Sequence, residues 1–184
     1  AAPSRTTSRG RAIAAAARHL LELLAALSPA DGSGSAADEG EALDLAELVL
    51  DAAALVQPQA AERAVGLDIG GLPRLGARGQ PRAVTQILVN LIGNAVRFSP
   101  AGAEVSIMLE GGSEASVVVT DRGPGVAPQD RNRIFERFEQ AGTKPGGAGL
   151  GLTISRRLAR EMGGDVELLA SESGATFRLR LPLA

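Results

Sequence analysis

The chain is predicted to fold as an α+β two-layer sandwich: a mixed β-sheet packed on helices, preceded by an isolated bundle helix. Three observations predict it. Helical and strand patterns come in blocks rather than in strict alternation. The stretch QILVNLIGNAVRFSP, residues 86–100, carries an apolar helical stripe of Ile87, Leu88, Leu91, Ile92 and Ala95, with Val89 and Val96 at its margins. Finally, 184 residues with 45% hydrophobic content suffice for one full core and a small appendage. That core must be aliphatic, because Phe98, Phe135, Phe138 and Phe177 are the only aromatic residues.

In chain order, Arg11 to Leu27 reads as one helix. Ile13, Ala17, Leu20, Leu24 and Leu27 alternate spacings of four and three, a bundle seam that needs a partner helix. Ser28-Pro29 ends it, and the polar segment around DGSGS is a flexible connection. This divides the chain into a partial helical segment (1–30), a linker (31–42) and a main domain (43–184). In the main domain, Asp44 with Glu47 resembles a capping box. It opens an amphipathic helix through Leu48, Leu55 and Val56 that is expected to stop by Pro58. Val65–Ile69 is a strand, and residues 70–81 are loop with a brief strand near Leu75. After the stripe helix come strands at 105–109 and 117–120, joined through Gly111-Gly112. A short helix is expected over Asp130–Glu139 and a longer one over 150–162, closed by Gly163-Gly164. Strands at 166–170 and 176–181 complete the domain.

A formal charge of −2 with interspersed signs gives no case for nucleic-acid binding. The lack of cysteine excludes disulfides and thiolate metal sites. There is no apolar run of membrane-spanning length and no recognisable signal peptide. These features are compatible with a cytoplasmic protein, whose parent can still be membrane-attached. A start at Ala1 rather than methionine reads as a fragment or a processed product.

The chemistry-bearing residues fall in three places. Asn90 and Asn94 lie four apart, on one face of the stripe helix, and their amides need partners when buried. TDRGPGV, residues 120–126, leaves a strand with Asp121 and then Gly123 and Gly125. Taken alone it fits a capped surface turn; alternatively, the glycines admit a ligand and the carboxylate accepts from an exocyclic amine. GGAGLGL, residues 146–152, runs straight into a helix, where backbone amides and the helix dipole suit an anion. It matches neither the phosphate-loop pattern nor the dinucleotide fingerprint.

In order and spacing, these motifs resemble the ATP-binding catalytic domain of sensor histidine kinases, in the superfamily shared with gyrase, Hsp90 and MutL. Asn90, Asn94 and Ala95 match its N box, followed by Arg97-Phe98. Asp121, Gly123 and Gly125 match the first glycine box, and Arg133 to Phe138 the F box. Gly147, Gly149, Leu150, Gly151 and Leu152 match the second glycine box, and Gly174 to Phe177 the last. The resemblance covers roughly residues 43–184 and implies a Bergerat-type ATP-binding fold; the N-terminal helix resembles one helix of the dimerisation and phosphoacceptor hairpin.

The resemblance implies ATP and Mg²⁺ as cofactors. Asp121 would take the adenine amine, with Phe98 and Thr176 close to the nucleotide. Asn94 and Asn90 would coordinate Mg²⁺ through amide oxygens. Arg97 and Arg137 would meet phosphate oxygens. The amides near Gly147, Gly149 and Gly151, with Leu150 and Leu152 beside them, would hold the phosphate chain. A lid would run over residues 127–146, and Lys144 within it would reach the γ-phosphate or stay solvated. The implied partners are a phosphoacceptor histidine domain, a response regulator and, in the full-length protein, a second copy.

Three departures bear on the reaction. ATP-hydrolysing members of the superfamily carry a glutamate where this chain has Asn90, which cannot act as a base and so favours transfer over hydrolysis. No phosphoacceptor motif is present, and His19, the single histidine, is followed by leucines rather than an acidic residue, so it is not expected to be the acceptor. Ala148 stands where Thr or Ser is usual. The rival readings are an ATPase or anti-sigma serine kinase of the same superfamily, and a degenerate kinase domain that acts as a nucleotide- or partner-binding module.

Overall fold

The computed structural model describes residues 40–136, 150–171 and 173–184. The expected bundle helix over Arg11 to Leu27, most of the linker, the second half of the lid, and the candidate residues Arg137, Lys144, Gly147 and Gly149 lie outside them.

The described chain runs β1 (Glu41–Asp44), α1 (Leu45–Glu62), β2 (Gly66–Gly71), β3 (Gly76–Gly79), α2 (Pro81–Phe98), β4 (Glu104–Gly111), β5 (Ala115–Thr120), α3 (Gly151–Glu161), β6 (Asp165–Leu169) and β7 (Thr176–Leu181). Five strands form a sheet in the order β2-β4-β5-β7-β6. Only β2 and β4 are parallel, with α2 in the crossover between them; the other pairs are antiparallel. β1 and β3 make a separate antiparallel pair.

Strand alternation assigns the two faces of the sheet. Val105, Ile107, Val117, Val119, Phe177, Leu179 and Leu181 point to the helices and are buried with the α2 stripe of Ile87, Leu88, Leu91 and Ile92. The opposite face carries an ion-pair ladder: Arg178 and Arg180 both reach Glu167, and Arg180 also meets Glu114. This is the expected open sandwich of mixed sheet and helices. Val96, expected at the margin of the stripe, is fully buried.

Three expectations are corrected. α1 does not stop at Pro58 but continues to Glu62. A proline inside a helix costs one hydrogen bond and a clash of about 3 kcal/mol. Here Val56 and Ala60, on either side of Pro58, stay buried against the core and offset that cost. Leu55, part of the expected amphipathic pattern, points outward, 66% exposed. The helix expected over Asp130–Glu139 is instead two 3-10 turns, Pro128–Asp130 and Arg133–Phe135, within the described residues. In addition, Glu41 and Ala42, read as linker, pair as strand with Arg78 and Gly79, and the strand expected near Leu75 runs over Gly76–Gly79.

Asp44 caps α1 as expected, but it also holds β3 in place. Its carboxylate accepts from Ala46 N–H at 2.9 Å and from Leu75 N–H at 3.1 Å. Those bonds, the Leu75 one foremost, keep its pKa below the usual carboxylate value. At the far end of α1, Arg63 donates to the Val96 and Arg97 carbonyls at 3.1 and 2.6 Å, placing a cation at the C-terminus of α2.

Candidate functional site

α2 is apolar toward the sheet and polar along one edge. Asn90, Asn94 and Arg97 follow that edge at i, i+4 and i+7, each half-buried. Asn90 Nδ2 donates to Ser155 Oγ of α3 at 2.9 Å. Its Oδ1 lies against Gly151, the first residue of α3, so closely that a Cβ there would overlap it. Arg97 sits 5.1 Å from the Phe98 ring centroid, and Phe98 itself is 42% exposed.

β5 ends at Thr120, and the next residue is Asp121, 3% exposed. Its Oδ1 accepts from Gly123 N–H at 2.7 Å and from Ala175 N–H at 3.0 Å. Burial pushes its pKa above the ordinary aspartate value, against the downward pull of these two bonds. Both bonds end on one oxygen, Oδ1. Thr120 and Thr176 pair through their hydroxyls at 3.2 Å, across the β5–β7 register. The loop before β7 closes on the aspartate: Gly174 has φ +72°, and a side chain there would strike the Asp121 carbonyl oxygen. A cavity of about 160 Å³ lies beside this junction, lined by Gly125, Val126, Arg131, Leu168, Gly174 and Ala175 among others.

A third wall comes from the start of the F-box segment. Ile134 is buried, and Phe135 packs edge-on to Phe177 at 6.5 Å. α3 holds that segment from the other side: Thr153 Oγ1 donates to the Phe135 carbonyl at 2.9 Å. Leu150 is buried just before α3, and Leu152 in its first turn is half-buried against the core.

The structure brings Asn90 to Gly151 and Ser155 of α3, and Gly123, beside Asp121, to the Phe98 carbonyl at the end of α2. α2 supplies Asn90, Asn94 and Arg97; the end of β5 supplies Asp121, Gly123 and Gly125; the start of α3 supplies Leu150, Gly151 and Leu152; and Thr176 opens β7. The sequence reading missed Ser155, Thr153 and Arg63, the side chains that fix these elements to one another. Ser155 carried one signal: it lies four residues after Gly151, on the same face of α3. No three His, Asp or Glu side chains among the described residues are grouped so as to hold a metal alone. The chemistry of the donor set still fits Mg²⁺ shared with a nucleotide, since two amide oxygens are hard, neutral ligands and phosphate supplies the negative charge.

Comparison with known proteins follows the same outline. The family model described as histidine kinase-, DNA gyrase B-, and HSP90-like ATPase matches residues 79–184. Sensor histidine kinase AruS of Pseudomonas aeruginosa is 37% identical over 195 aligned positions, covering 98% of this chain and 19% of AruS. Sensor protein TorS of Escherichia coli is 43% identical over 106, covering 57% of this chain and 12% of TorS. Among solved structures, full-length ShkA in complex with AMPPNP superposes with a TM-score of 0.76 at 31% identity, covering 100% of this chain and 40% of that one. The mycobacterial sensor histidine kinase MprB gives 0.70 at 26% identity, covering 78% and 97%. The chain thus spans a small part of the length of these curated relatives, and no helix among its described residues is long and apolar enough to cross a membrane. It belongs to the histidine kinase-, DNA gyrase B- and HSP90-like ATPase family, and resembles within it the ATP-binding domain of sensor histidine kinases.

Proposed function

We propose that the domain binds Mg-ATP and passes the γ-phosphoryl group to a histidine on a separate acceptor segment of a dimeric kinase, from which a response regulator would take it. The observation that carries this reading is the buried Asp121 carboxylate, held by two amides on Oδ1, in a turn whose Gly123 faces the Phe98 carbonyl at the end of α2. Asp121 would accept the adenine N6 hydrogen, while Asn94 and Asn90 would hold the Mg²⁺ that offsets phosphate charge. Arg97, with Arg137 and Lys144 of the lid, would face the phosphate oxygens, and the amides of Gly147, Gly149 and Gly151 would cradle them. In the transfer, the bond from the γ-phosphorus to the bridging oxygen breaks, a P–N bond forms to the acceptor imidazole, and ADP leaves. With Asn90 where a general base would stand, no group on α2 draws a proton from water.

The boundaries proposed for this function are a partial dimerisation helix over 1–30, a linker over 31–42 and the catalytic domain over 43–184. Calorimetry with ATP and Mg²⁺ tests nucleotide binding, and Asn94→Ala should remove most of the metal-dependent affinity. Radiolabelled ATP should leave this chain unlabelled, with His19→Ala identical to the parent, yet label a separately supplied acceptor hairpin. Acid-labile label on the parent that vanishes in His19→Ala would make His19 the acceptor. The absence of an acceptor motif favours a second reading, a regulatory module that binds nucleotide or a partner without transfer; binding without hairpin labelling would support it.

A further inference from the structure

α2 and α3 meet along an apolar seam that contains one polar contact between side chains of the two helices, that of Asn90 with Ser155. Ser155 is 1% exposed, and the next residue on its face of α3, Ala159, is 0% exposed. A serine is a poor choice for such a position: it is a weaker helix former than alanine, and its hydroxyl must find a partner once buried. The partner it has is the Asn90 amide nitrogen. One turn earlier on the same face, Gly151 offers bare backbone to Asn90 Oδ1. The two ends of the amide therefore meet different surroundings, the nitrogen a buried acceptor inside α3 and the oxygen the open first turn of that helix.

A carboxamide has nearly the same shape either way round, and its hydrogen bonds decide which end points where. We infer that Ser155 is a positioning residue for nucleotide binding: it fixes the Asn90 amide with its oxygen toward the N-terminus of α3. The inference rests on the Mg-ATP reading above. An amide oxygen can ligate a hard cation, and an N–H cannot. The hydroxyl can accept or donate, so it selects the orientation together with the first turn of α3, whose free N–H groups suit the oxygen end. Without it the nitrogen loses its buried acceptor and the amide turns over for part of the time. Gly151 is the other half of the device, since any side chain there would push Asn90 out of place.

The test compares the parent, Ser155→Ala, Asn90→Ala and the double variant by calorimetry with ATP, once with Mg²⁺ and once with EDTA. Thermal unfolding is followed in parallel. Ser155→Ala should lose about five- to tenfold of the affinity that Mg²⁺ adds, the size of one neutral hydrogen bond, while the EDTA value stays unchanged. In the Asn90→Ala background, Ser155→Ala should have no further effect on the metal-dependent part. A serine with only a packing role would lower the EDTA value and the unfolding temperature together and would add its effect in both backgrounds. Ser155→Cys, similar in size but a weak acceptor, replaces the alanine variant if that chain does not fold. An unchanged Mg²⁺ gain in Ser155→Ala, or additive effects, overturns the inference and leaves the Mg-ATP reading standing. A parent that binds no nucleotide under either condition removes both.

Discussion

The guanidinium of Arg156 lies over the Phe135 ring, its carbon 4.5 Å from the centroid. The same group forms a two-pronged pair with Asp165, at 2.9 and 3.2 Å. One residue of α3 thus ties the F-box segment to the first residue of β6. Arg156→Met keeps much of the aliphatic stem and removes the charge, the stacking and both bonds. We expect a loss of about 1–2 kcal/mol in urea unfolding. Faster amide exchange at Glu136, whose N–H donates to the Arg133 carbonyl, should accompany it. Unchanged exchange there would mean that Phe135 is held by Thr153 and Phe177 alone.

Asp165 gives a pH signature. Burial is the largest single influence and pushes its pKa up, but hydrogen bonds from Arg156, Arg160 and Val166 N–H outweigh it and hold the group at about 2, against 3.8 for an ordinary aspartate. A depressed folded-state pKa means the stabilisation is present above pH ~4 and is lost as pH falls toward 2. Arg160 is more than half exposed, so screening reduces the contribution to about 1–2 kcal/mol. The gap in unfolding free energy between the parent and Asp165→Asn should be constant from pH 7 to 5 and close between pH 4 and 2. A gap that widens on acidification would contradict the sign.

Asp121 behaves in the opposite sense. Its raised pKa means that the charged form gains nothing from folding at neutral pH, so Asp121→Asn, whose amide oxygen can still accept both N–H groups, should leave thermal stability close to that of the parent. Nucleotide binding should fall all the same, by about 1.5–3 kcal/mol for a lost charge-assisted hydrogen bond. ATP affinity of the parent should also decline at a higher pH than an ordinary aspartate would allow. Equal affinity of the parent for ATP and GTP, measured by calorimetry, would dismiss the adenine role.

Two glycines separate backbone strain from crowding. Gly102 has φ +80° with nothing within 4 Å of a new Cβ, whereas Gly174 has φ +72° and faces the Asp121 carbonyl. Gly102→Ala should cost about 1 kcal/mol, the penalty of the left-handed conformation alone. Gly174→Ala should cost more in unfolding free energy and also weaken ATP binding by moving the aspartate. Similar losses for the two variants, with ATP binding intact, would show that the 174 loop yields freely.

Much of this was legible in the chain. The α2 stripe, the Asp44 cap and the glycine stop of α3 depend on neighbours in sequence, and local chemistry announced them. The Asp121 turn was legible as a turn; its ordered spacing relative to Asn90, Asn94 and the later glycines gave it meaning. What could not be read depends on distant partners. Pro58 is a helix breaker until Val56 and Ala60 find a core to bury in. Arg63 looks like a surface cation at the end of α1 until the last carbonyls of α2 lie beside it. Ser155 reads as an ordinary polar residue of α3 until Asn90 reaches it from 65 positions away.

The bond from Ala175 N–H to Asp121 Oδ1 joins positions 54 apart, and β7 must be paired to β5 before it can form. During synthesis, a chain emerging as far as Met162 already possesses both asparagines, the aspartate and the whole of α3, yet lacks the strand that aligns the carboxylate. Contacts between distant segments form late because loop closure precedes their reward. Nucleotide therefore cannot serve as an early template for this domain: affinity should arrive in one step with residues 175–184. Nascent chains arrested at successive lengths and probed with a fluorescent ATP analogue would reveal that step, and a chain ending before Gly174 should not retain the analogue.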